Sequence, residues 1–153
     1  MMSDLRFLKY TFFSLIFITN VLFSQDTNEK GNIEVTIQDI DMDEEGELVI
    51  LLFNSEEAWL EADQYYKIIK VSPAEETQKI IFEKIPYGSD YAIEVVHDEN
   101  NNLKMDMRIL PYPKPKEGVG VSNNTFRAGP PEYEKAKFSL FQPTVELTIQ
   151  MKY

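Results

Sequence analysis

The chain has no cysteine, a single histidine, a single tryptophan and only six glycines in 153 residues. Without thiols there is no disulfide, no zinc–thiolate centre and no redox-active cysteine pair, so the fold must be held by its core. Positive charge is also scarce: 15 Lys and Arg stand against 26 Asp and Glu, for a net charge of −11. Phosphate backbones and anionic membrane surfaces need cationic partners, so nucleic acid and such membranes are excluded as partners, while metal cations and basic partners remain permitted. Internal repeats, low-complexity tracts and linkers are lacking too. The serines Ser55, Ser72, Ser89, Ser122 and Ser139 have no nucleophile-elbow context, and the sequence points to no catalytic site.

One apolar run is present, at the N-terminus. In "MMSDLRFLKYTFFSLIFITNVLFSQ", Arg6 and Lys9 precede apolar residues 10–23, and Ser24-Gln25 follows as a cleavage point. This is the pattern of a secretory signal peptide over residues 1–24. The run is short of the roughly 20 apolar residues a spanning helix needs, and no cysteine lies near it to carry a lipid anchor. The expectation is an exported protein with no membrane span in its mature chain. Without residues 1–24, which carry Arg6, Lys9 and Asp4, the net charge is −12. Residues 25–30 read as a frayed polar lead, and residues 31–153 as one domain.

Within that domain period-two patterns dominate. "NIEVTIQDI" alternates Ile33, Val35 and Ile37 with polar neighbours. "ELVILLF" is apolar on both faces and suits a central strand. "YYKIIKV", "TQKIIFEKI", "YAIEVVH", "KAKFSLF" and "TVELTIQMKY" complete seven expected strands. "NSEEAWLEADQ" reads as a short helical turn capped by Asn54 or Ser55, with Trp59 and Leu60 over the core edge. Seven short strands with no intervening helices predict an all-β sandwich of the immunoglobulin or transthyretin-like kind. A long connection, residues 98–134, comes before the sixth strand and is expected to contain no strand. Gly88 and Tyr91 in "IPYGSDY" fit a tyrosine corner.

The stretch with chemical content is "HDENNNLKMD". Hard cations such as calcium take several oxygen ligands from carboxylates, amides and carbonyls. Asp98, Asn100, Asn102 and Asp106 fall at the first, third, fifth and ninth places of an EF-hand-like register and are the candidate metal ligands. Leu103 stands where glycine makes the sharp turn, and Ile109 where a bidentate Glu is expected, so the segment is a shorter cation loop or an Asx-rich turn. His97 is the expected anchor of that loop. In an up-and-down order, the loops carrying Asp41, Asp43, Glu44 and Glu45, then Glu75 and Glu76, then residues 98–106 share one acidic end. The second distinctive stretch, "KPKEGVGVSNNTFRAGPPEYEKAKFSL", offers Ser122, Asn123, Asn124, Phe126 and Arg127, with Tyr112 before it, as a loop surface for a protein or glycan partner.

The order "IPYGSDYAIEVVHDENNN…D…PKEGVGVSNN…GPPEYEKAKFSL" resembles the bacterial family known as domain of unknown function 2141, over nearly the whole chain from Gly31 onward. The resemblance implies an exported protein, mostly of Gram-negative bacteria, periplasmic or secreted, with no characterised activity. Two departures stand out: Leu103 replaces the family's usual loop glycine, and "MRILPYPKPKEG" is longer than the usual connection. The Gly-x-Tyr-Ala piece is also similar to one in carboxypeptidase-regulatory and surface B-type domains, some of which bind calcium through Asp/Asn loops.

Overall fold

The structure, a computed structural model, describes residues 29–103, 105–108, 114–124 and 129–153. The expected signal peptide lies outside these residues, as do Tyr112, Phe126 and Arg127 of the expected binding loop. In chain order the elements are β1 (Lys30–Gln38), β2 (Glu47–Phe53), β3 (Lys67–Val71), β4 (Gln78–Pro86), β5 (Asp90–Asp98), β6 (Met107–Arg108), β7 (Lys114–Pro115), β8 (Gly118–Val121), a 3-10 turn (Ser122–Asn124), α1 (Tyr133–Ala136), β9 (Phe138–Ser139) and β10 (Thr144–Gln150).

The protein is mostly β. One sheet has the order β10-β1-β4, with β1 parallel to β10 and antiparallel to β4. The other has the order β3-β2-β5-β8, antiparallel throughout, and β9 pairs with the start of β5. Alternation decides which residues meet between the sheets. Ile33, Val35 and Ile37 of β1 join Leu48, Ile50 and Leu52 of β2 and Ile93 and Val95 of β5 in one buried cluster. Each such side chain contributes about 1.5–3 kcal/mol when fully buried. β2 is central, as its doubly apolar pattern requires: Val49, Leu51 and Phe53 form a second buried cluster on the outer face of its sheet.

Two expectations are corrected. The connection after β5 does contain a strand: "GVGV" forms β8 and pairs Glu94 with Val121 and His97 with Gly118. Its glycines are there for close approach. A Cβ on Gly120 would lie 2.6 Å from the Ile149 Cγ2 atom of the opposite sheet. The sixth expected strand, "KAKFSLF", is instead the end of α1 followed by the two residues of β9. Tyr133 and Ala136 of α1 bury against Ala92, which the one-turn helix achieves and an extended chain would not.

The tyrosine corner is present: the Tyr91 hydroxyl donates to the Pro86 carbonyl, 2.9 Å away. Trp59 covers the outer face, 5.3 Å centroid to centroid from Phe53 and 6.0 Å from Tyr133, both edge-on. Ser55 caps the preceding turn by accepting the Ala58 N–H. Among the described residues no helix is long and apolar enough to cross a membrane.

Candidate functional site at the acidic pole

The turn between β1 and β2 packs directly onto the end of β5. Gly46 has φ +112°, and a Cβ there would collide with the Asp98 carbonyl oxygen, so only glycine fits. Ile40 N–H donates to the Glu76 carbonyl, 3.0 Å away, which brings the β3–β4 turn to the same end. The three acidic loops therefore do share one pole.

At its centre is Asp98, only 2% exposed. Its Oδ1 accepts the Asn102 N–H at 3.0 Å and its Oδ2 the Leu103 N–H at 2.8 Å. Two charge-assisted bonds to the loop's own amides make this an Asx-type turn. The loop pays for its tightness in backbone conformation: Asn101 has φ +56° and Leu103 φ +59°. Asparagine tolerates that region, and leucine does so at a cost. The glycine position noted in the sequence is thus a left-handed position in the structure.

Asn100 lies one step out. Its Nδ2 donates to Asp106 Oδ2 at 2.9 Å and to Glu117 Oε1 at 3.2 Å. Glu117 Oε2 accepts the Asp106 N–H at 3.1 Å. The structure therefore joins Asn100 and Asp106 with Glu117 in one network, while Asp98 bonds separately to the Asn102 and Leu103 amides and acts on Glu117 through its charge. Glu117, which sequence reasoning missed, ties the network to the start of β8 and is only 2% exposed. Its signal was the glutamate of "PKEG", inside a quoted motif. Burial raises its pKa first, and the charges of Asp98, Asp106 and Glu99 add to the rise, against the lowering hydrogen bond from Asp106. Among the described residues, no three Asp, Glu or His side chains are placed to hold a metal ion.

His97 points the other way, into the inter-sheet side. It is fully buried, and its Nδ1 lies 2.8 Å from the Tyr153 hydroxyl, which also accepts the Asp41 N–H at 2.9 Å. It thus ties the C-terminus and the β1–β2 turn to β5. Its Nε2 is buried without a partner among the described residues. Burial pushes its pKa down, opposed by the negative charges of Glu44, Asp41 and Glu117.

The residues Ser122, Asn123 and Asn124 form a clasp. Ser122 Oγ accepts the Ile93 N–H at 2.9 Å and donates to the Ala136 carbonyl at 2.6 Å. Asn123 Nδ2 reaches the carbonyls of Lys135, Ala136 and Lys137, closing the end of α1. Asn124 pairs with β10 as a strand residue would: its amide donates to the Thr148 carbonyl and accepts the Gln150 N–H. These three side chains join β5, α1 and β10.

The family described as "Uncharacterized protein conserved in bacteria (DUF2141)" matches residues 35–148, and the chain belongs to it. No curated protein and no solved structure matches the chain.

Proposed function

We propose that the chain is an exported, non-catalytic β-sandwich module of the immunoglobulin or transthyretin-like kind, which presents residues 107–134 to a protein or glycan partner from a rigidly held pole. The observation that carries this reading is the Asp98 carboxylate, whose two oxygens are taken up by backbone amides. A group so engaged shapes a loop, and at 2% exposure it is turned away from solvent. The clasp residues behave alike and pin the presented segment at its middle. The N-terminal leader pattern supports export, to the periplasm or beyond.

Thermal melts of wild type and Asp98→Ala, in EDTA and in millimolar calcium, test it. The substitution is expected to cost about 2 kcal/mol, and equally in both buffers, because the lost bonds are internal. The second reading is a calcium-stabilised loop with Asp98, Asn100, Asn102 and Asp106 as ligands. It is favoured by the crowding of Glu117 with Asp98, Asp106 and Glu99, whose like charges a cation would relieve. A calcium-specific rise in the melt that disappears in Asp98→Ala would replace the first reading with the second.

A further inference from the structure

The two sheets face each other along two sides, and the sides are closed differently. On one, main chain joins them. Val119 N–H donates to the Lys152 carbonyl at 2.9 Å and Lys152 N–H to the Val119 carbonyl at 2.8 Å, so β8 is tied to the chain just after β10. On the other, β3 and β4 stand at the edges of their sheets with no further strand beside them among the described residues. A groove of about 370 Å³ lies between them. The Lys67 ammonium reaches across it and donates to the Glu83 carbonyl at 2.8 Å.

These two edges differ in what they can accept. β4 is irregular: its register with β1 shifts between Gly31 and Ile33, and Lys84 has φ +58°. A bulged edge is a poor template for another strand. β3 keeps one unbroken register with β2 from Lys67 to Val71. Every second residue of such an edge strand turns its N–H and C=O outward, where another extended chain can pair with them. Its side chains divide by alternation. Ile69 and Val71 pack on the inter-sheet core, and Ile68 packs on the outer cluster. All three are only half-buried, so a strand laid alongside at about 4.8 Å would cover apolar surface on both faces. Tyr65 and Tyr66, 38% and 39% exposed, prolong that surface just before the strand.

Charge decides what kind of strand fits. In a chain of net charge −11, β3 and β4 carry Lys67, Lys70, Lys79 and Lys84 against one carboxylate, Glu83. A second copy of the chain is a poor occupant. Antiparallel pairing of β3 with itself about Ile68 and Ile69 sets Lys67 opposite Lys70, and like charges directly opposite repel. We propose that the β3 edge is a docking site for an extended acidic segment of a partner protein, which lengthens the sheet by one strand. The complement of "KIIK", Lys67 to Lys70, is acid, apolar, apolar, acid. Carboxylates then face the two lysines, and aliphatic side chains face Ile68 and Ile69. This edge is separate from residues 107–134, and its role does not depend on what they bind.

A short synthetic peptide with the core Asp-Val-Ile-Glu is titrated into the full, isotope-labelled chain at low salt, reading amide chemical shifts and amide hydrogen exchange. The expected result is a set of shifts and slowed exchange confined to residues 65–71 and 81–84. Lys70→Glu, at an exposed position, is expected to weaken binding about tenfold. Two control peptides leave the protein unaltered and should not bind: one with alternate backbone nitrogens methylated, and one with the core Lys-Val-Ile-Lys. No shifts, shifts centred elsewhere, or equal binding of either control would each overturn the proposal. So would a dimer in sedimentation whose formation slows exchange at the same amides, because a second copy would then occupy the edge.

Discussion

At the scale of single residues, strain and burial give the sharpest expectations. Leu103 is half exposed and left-handed, so its side chain adds little packing to offset its backbone cost. Leu103→Gly is expected to raise stability by about 1 kcal/mol, read as a higher urea midpoint. A lower midpoint would mean that the loop is not left-handed there. His97 is held neutral by burial. Its folded pKa lies below the unfolded 6.5, so the unfolded chain takes the proton first, and stability is lost as pH falls below that value. His97→Asn, which keeps an amide near the Tyr153 hydroxyl but cannot titrate, should flatten the stability profile between pH 7 and 5. A profile as steep as the wild type's would assign that slope to other groups. Such residues differ in how readable they were. The Asx turn was visible in the spacing of Asp98, Asn100 and Asn102, because a local turn is written in local sequence. Glu117 was not, because it owes its character to strands that pair across long separations.

Among the elements, the long regular strands were legible from period two, and β2 was even placed centrally from its doubly apolar faces. β8 and α1 were not. Two glycines in four residues argue for a loop unless the opposite sheet is known to come within contact distance, and α1 is a single turn shaped by burial of Tyr133 and Ala136. The clasp at residues 122–124 is the link between them. Ser122→Ala would leave the Ile93 N–H buried without its partner and take from the Ala136 carbonyl one of its two donors. Chemical denaturation is expected to show a loss of about 2–3 kcal/mol. Ser122→Thr, which keeps the hydroxyl but adds a methyl group to a fully buried site, tests whether space or bonding dominates. A loss below about 0.5 kcal/mol in the alanine variant would show that water replaces the hydroxyl.

For the molecule as a whole, charge is unevenly placed. The ion pairs of Lys137 with Asp90 and Glu134, and of Lys135 with Glu132, gather round α1. The acidic loops gather at the other end of β5. Added salt screens exposed like charges more than about 10 Å apart at 0.1 M, while half-exposed surface pairs are worth little. Stability is therefore expected to rise when sodium chloride goes from about 10 to 200 mM, by a melt in a non-chelating buffer. A fall would mean that attraction outweighs repulsion. Topology carries a further consequence. β1 is the middle strand of its sheet, yet one neighbour, β10, follows every other strand among the described residues. β1 keeps one edge bare until β10, far along the chain, has been made. Closure across such a separation is slow compared with local pairing. If residues 1–24 act as the proposed export signal, this delay keeps the newborn chain open, as a secretory channel requires. It also makes any copy that stops short of β10 a template for aggregation.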